Sequence, residues 1–173
     1  MSVADATSVP PILVLGLGNR LLRDDGVGLE LLRRLDADGA GDVRVEVLDG
    51  GTQGLALLGR IACREAILVL DAVGLGAEPG TVHHMWGVPQ RVASAVPTAH
   101  EGNAAELFAA AALLGELPPA VRVVGIEPAE VRTGIGLSAP VLAALPAAAA
   151  AARAALCALR EALLETEPPS CTS

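Results

Sequence analysis

The chain has 173 residues, enough for one domain with a buried core. Apolar residues make up 52% of it, but with one Trp, one Phe and no Tyr the packing falls to Ala, Leu, Val and Gly. The net charge of −8, with twelve scattered arginines as its only Lys or Arg residues, excludes nucleic acid as the main partner, because a phosphate-tracking surface needs clustered cations.

Residues 1–10 read as a loose leader. The run 12–17, "ILVLGL", is continuously apolar, as a strand buried on both faces should be. Helical spacing follows at Val27, Leu29, Leu31, Leu32 and Leu35. Residues 43–48 alternate as a second strand, "QGLALLGRIA" reads as a short helix, and residues 66–72 form a third buried strand. "PGTVHHMW" predicts a turn and a short edge strand, and "NAAELFAAAALLGE" a helix ended near Gly115. Residues 121–126 are another strand. The last helix starts at "LSAP", with Ser138 as N-cap, Pro140 in the first turn, and Pro146 as a kink or second start. The tail from residue 166 is expected to fray. Strands alternating with helices predict an α/β three-layer sandwich, a twisted and mainly parallel sheet with helices on both faces, in one domain spanning 1–173.

Cys63, Cys157 and Cys171 show no CxxC spacing and leave an odd thiol, which suits a reducing cytoplasm rather than a disulfide framework. Cys63 reads as a small core residue. No secretory signal is evident, and the apolar stretch 139–152 carries two prolines and stops at Arg153, too short to span a bilayer. The expectation is a cytoplasmic protein without a membrane partner.

Ligands of such folds gather beyond the carboxyl ends of the strands. Three strand ends here deliver acids: Asp24 and Asp25 after the first, Asp49 in "LDGGT" after the second, and Asp71 in "LVLDAVG" at the third. Asp24 or Asp25 could equally cap the next helix, and Asp49 could close an Asx turn. Asp71 follows four apolar residues, where an unpaired charge is costly. The first strand also opens a Gly-x-Gly, but the third glycine of a dinucleotide fingerprint is Leu21, and the acids that follow repel a pyrophosphate. A dinucleotide reading is therefore minor, no nucleotide cofactor is expected, and the crevice suits a cation. His83 and His84 are adjacent in a strand, so at most one could join a given site. His100 stands in a loop just before a helix. Two carboxylates and one imidazole would suit nickel, zinc or a similar borderline ion.

The motifs "GLGNRLLRDDGVGLELLRRL", "VLDGGTQGLALL", "ILVLDAV", "PGTV", "TAHEGNAAELF", "VVGIEP" and "GIGLSAPV" occur in the order seen in the NiFe-hydrogenase maturation endopeptidases, which this chain resembles from about Ile12 to beyond Pro140. The resemblance implies a protease that removes a short C-terminal peptide from the hydrogenase large-subunit precursor once nickel has been inserted. Nickel is then carried by the substrate. It further implies that Asp25, Asp71 and His100 contact the metal, and that Asp49–Thr52 lines the peptide cleft. Two features depart from the family pattern: the first acid is Asp25 where relatives often carry Glu, and Gly102 comes one place early, while Glu106 keeps its position. No Ser-His-Asp or Cys-His arrangement is visible. Cleavage would use water polarised by the metal or activated by a carboxylate such as Asp49 or Asp71. The family pattern implies a monomer. A non-catalytic nickel-handling partner of the large subunit is the rival expectation.

Overall fold

Three apolar runs form the centre of a five-stranded sheet because residues buried on both faces need partners on both. In the computed structural model, which describes residues 9–87 and 104–166, these runs are β1 (Ile12–Leu17), β3 (Ala66–Ala72) and β5 (Ala120–Ile126). β2 (Val45–Gly51) flanks β1, and β4 (Val82–Trp86) flanks β5. The order is β2-β1-β3-β5-β4, with β4 the one antiparallel member. All four parallel strands therefore end on one rim.

Helices α1 (Val27–Ala37) and α4 (Ala139–Thr166) cover one face, burying Leu31, Leu35, Leu145, Ala152 and Leu159 against Ile12, Val14, Leu68 and Val124. The opposite face carries α2 (Leu58–Ile61) and α3 (Ala104–Leu114), with Ile61, Leu107 and Phe108 on Leu13, Leu15, Val69 and Val123. The three-layer α/β expectation holds. α3 stops where expected: Gly115 takes φ +71°, and the Glu116 N–H reaches back to the Ala111 carbonyl at 2.9 Å.

Several local expectations are corrected. The second strand starts at Val45 rather than at residue 43, because Asp42 and Val45 exchange backbone hydrogen bonds in a tight turn that leaves Val43 92% exposed. Cys63 is exposed, beyond the end of α2 and at φ +60°, so it is no core residue. The last helix is one unbroken element of 28 residues with Pro146 inside it. Pro146 is exposed, so the hydrogen bond it cannot make, to the Leu142 carbonyl, is lost on the solvent side. The same helix is long and apolar enough by composition to cross a membrane, contrary to the shorter stretch read from sequence. Core packing accounts for part of that character, since Val141, Leu145, Ala148, Ala149, Ala152, Leu156 and Leu163 belong to the core cluster, with 39% of the apolar window buried. The expected leader and tail fall largely outside the described residues.

Candidate functional site

Two close approaches of backbone create the site. β1 ends at Leu17, and Gly18 follows with φ +121°; a Cβ there would lie 1.9 Å from the Asp25 carbonyl oxygen. The absent side chain lets the 3-10 turn Arg23–Gly26 fold back on the strand end. Asp25 Oδ2 then accepts the Asn19 N–H at 2.8 Å. Gly28 does the same for α1, where a Cβ would meet the Leu70 and Leu17 carbonyl oxygens at 2.3 and 2.4 Å. The start of α1 thus rests on the ends of β1 and β3, and the residue after Leu70 is Asp71.

Asp71 is half-buried, and its Oδ1 accepts the N–H of Ala72 at 2.8 Å. Burial first, and then the negative charge of Asp25, push its pKa up to about 7, more than the Ala72 hydrogen bond lowers it. At neutral pH the pair therefore shares its burden of charge with a proton. Among the described residues Ala72 is the one hydrogen-bond partner of this carboxylate, so acceptor capacity remains for a proton or a cation. A cation against both carboxylates would relieve their repulsion, so the donor set fits a metal ion with oxygen-accepting character.

The neighbouring acid behaves differently. Asp24 is fully buried and accepts four hydrogen bonds: from the N–H groups of Ala129 and Glu130 at 2.9 Å each, the Ser138 N–H at 2.6 Å and the Ser138 hydroxyl at 2.8 Å. Burial alone would raise its pKa, but these bonds together bring it below the usual value. Asp24 makes no cap hydrogen bond to α1. Ser138 stands where expected, directly before Ala139, and its carbonyl accepts the Leu142 N–H at 2.9 Å, the first bond of α4, while its hydroxyl donates to Asp24. Asp24 instead pins the 129–138 segment to the turn that carries Asp25.

Asp49 lies opposite Gly16 in the sheet register, its side chain 53% exposed and its Oδ2 3.4 Å from Arg20 Nη2. Among the described residues no three of His, Cys, Asp and Glu form a metal-holding cluster, so Asp49 does not complete the Asp25–Asp71 pair. His100 lies outside the described residues; α3, which it precedes in sequence, begins at Ala104.

The two strand histidines separate as their alternation requires. His84 stacks on Trp86, with ring centroids 5.9 Å apart, whereas His83 Nε2 sits 2.8 Å from Glu127 Oε2. Glu127, buried just past β5, also accepts the N–H groups of Leu75 and Gly76 at 2.9 and 3.0 Å. Burial opposes ionisation there, but the Leu75, His83 and Gly76 contacts outweigh it and lower the pKa. Glu127 therefore fixes the loop that leaves the sheet after Asp71. Sequence reasoning did not single it out; an acid directly after the "VVGI" strand was the available signal.

A cavity of about 300 Å³, lined in part by Gly26, the residue after Asp25, was also missed. It lies between the 20–26 segment and the start of α4, with Arg20, Arg23, Ile135, Leu137 and Leu142 among its walls.

The chain is similar to known proteins along most of its length. A family model described as hydrogenase maturation protease matches residues 29–155. The chain is 36% identical over 125 residues to the hydrogenase expression/formation protein HupD of Thiocapsa roseopersicina, covering 71% of this chain and 57% of that protein, so it spans little more than half the length of that relative. It is 34% identical over 160 residues to the hydrogenase 2 maturation protease of Escherichia coli K12, covering 91% of this chain and 95% of that one. The structure of the hydrogenase maturating endopeptidase HybD from E. coli superposes with a TM-score of 0.73 at 33% identity, over 87% of this chain and 93% of that one.

Proposed function

This chain belongs to the hydrogenase maturation protease family, and we propose that it is an endopeptidase removing the C-terminal extension of a nickel-loaded hydrogenase large-subunit precursor. Nickel arrives as part of the substrate, and Asp25, Asp71 and His100 read it. The observation that carries this is the meeting of Asp25 and Asp71, acids that follow β1 and end β3, where burial first and the Asp25 charge second raise the Asp71 pKa to about 7.

The chain's own chemistry follows from that pair. In the free protein, the Asp71 proton offsets the charge of Asp25. Docking of a precursor with its metal places positive charge between the acids, so the proton leaves and both carboxylates become ligands. A precursor without nickel leaves the pair protonated and without its main anchor, which is how the metal confers specificity. With its proton displaced by the metal, the Asp71 carboxylate is suited to position the attacking water, and the metal charge stabilises the oxyanion that develops. Asp49 is exposed and faces Arg20 in the "DGGT" stretch, which supports a role toward the peptide rather than at the metal.

The test is the mass of the precursor's C-terminus after incubation with the purified protein. Wild type should shorten nickel-loaded precursor and leave nickel-free precursor intact, and His100→Ala should leave both at full length. Precursor that is bound by wild type but never shortened would make the protein a nickel-handling partner instead. Undiminished cleavage by His100→Ala would remove His100 from the metal site.

A further inference from the structure

The cavity is not lined by the metal-reading pair, but one wall is the same 20–26 turn that carries Asp25, with Gly26 as a lining residue. We propose that this groove seats the precursor segment adjoining the scissile bond, and that it selects an apolar side chain with a carboxylate beside it. The inference rests on the peptidase reading above and adds to it what the peptide must look like.

The apolar half of the argument is exposure. Ile135 is 84% exposed and Leu142 51% exposed, and both line the same groove with Leu137 between them in sequence. Leu21, 62% exposed, adjoins them, because its carbonyl accepts the Gly134 N–H at 2.9 Å. Single exposed apolar residues need no explanation, but large ones gathered around a cavity beside a reactive rim do. The volume, about 300 Å³, is at the small end for ligand sites and suits one side chain with its backbone rather than a whole cofactor.

The polar half is charge. On a chain of net charge −8, this groove carries two arginines on one edge. Arg20 faces Asp49 across 3.4 Å, and Arg23 Nε lies 3.2 Å from Glu130 Oε2 without forming a hydrogen bond. The exposed Arg20–Asp49 pair contributes little and exchanges readily for a better-placed carboxylate, whereas Arg23 is largely buried with its Nε left without a hydrogen bond. The one acid in the wall, Glu30, is already taken by Arg33 and Arg34 at 2.9 and 3.0 Å. Arg23 is also held in a left-handed backbone conformation, φ +54°, by its N–H bond to the Gly134 carbonyl at 3.1 Å. That conformation is unfavourable for a residue with a side chain and recurs where a site fixes a group in place. Here it fixes a guanidinium at the groove's edge.

Two variants test the groove. Ile135→Asp places a carboxylate in the apolar wall at a position too exposed to affect folding, and Leu142→Asp does the same in the first turn of α4, where an acid is well tolerated. Each is compared with wild type for cleavage of nickel-loaded precursor and, separately, for its affinity by calorimetry. The expected result is a rise in KM of at least tenfold with a much smaller change in kcat, a matching loss of affinity, and a wild-type KM that rises with salt. Affinity and kcat/KM within twofold of wild type for both variants would overturn the proposal. So would unchanged processing together with altered self-association in sedimentation, which would mean that a second copy of the chain covers the patch. If wild type binds but does not cleave, and both variants bind tenfold more weakly, the groove stands and the peptidase reading falls.

Discussion

Replacing Asp71 by Asn should stabilise the metal-free protein at pH 8 while abolishing processing. Asn keeps the oxygen that accepts the Ala72 N–H at 2.8 Å and has nearly the same shape, so the change removes the charge alone. Burial and the Asp25 charge raise the Asp71 pKa from 3.8 to about 7 in the folded state. An acid with a raised folded pKa binds more protons folded than unfolded, so stability falls as pH climbs from about 4 to about 7 and is flat above. A displacement of roughly three pKa units corresponds to a ceiling of ~4 kcal/mol at pH 8. The substitution recovers most of that ceiling at pH 8 and only a few tenths at pH 4, where the folded acid is protonated and the unfolded one nearly half so. Urea denaturation in the presence of a chelator, run at pH 4, 6 and 8, measures it. An Asp71→Asn variant no more stable than wild type at pH 8 would show that the two carboxylates do not strain one another, and the metal-reading argument would lose its footing.

Asp24→Ala tests the neighbouring acid in the opposite sense. It strands two buried donors on Ser138 and two part-buried ones on Ala129 and Glu130, so the expected loss is about 2–4 kcal/mol, read as a lower urea midpoint at pH 7. Because the folded pKa of Asp24 lies below 3.8, its contribution is complete above about pH 4 and disappears as pH falls through the folded value. A loss under 1 kcal/mol would mean that the 129–138 segment does not depend on it. Gly28→Ala should push α1 off the carbonyls of Leu17 and Leu70, cost about 1–3 kcal/mol, and lower the Asp71 titration midpoint, followed by carboxyl NMR, as Asp25 moves away. An unchanged midpoint would mean that the helix contact does not set the distance between the acids.

The contrast between these acids shows what a sequence can and cannot reveal. The sheet was readable because burial on both faces leaves no alternative to continuous apolar runs, and β1 and β3 match their expected limits residue for residue. Asp71 stood out for the same reason, as a charge directly after such a run. Asp24 and Asp25 are adjacent, and nothing local says which turns inward to the 129–138 segment and which to the rim. That is decided by hydrogen bonds spanning 105 to 114 residues. Asp49 looked equivalent to Asp71, but β2 is an edge strand with a register shift opposite Gly16 and Leu17, so its end opens to solvent and Arg20. The groove was invisible because its two walls, residues 20–26 and 135–142, are joined by tertiary contacts alone.

The same physics explains why the opening glycines imitate a phosphate-binding fingerprint. In dinucleotide folds, glycines let a helix start lie close to a strand end so that free N–H groups meet a pyrophosphate. Gly18 and Gly28 provide that close approach here. But the N–H of Asn19 is already occupied by the Asp25 carboxylate, an anion supplied by the chain itself at 2.8 Å. A phosphate arriving there would find a negative charge in its place, with a second acid one strand away. The architecture that elsewhere gathers donors for an anion has here been filled by a carboxylate of the chain itself, which leaves the crevice unsuited to a phosphate.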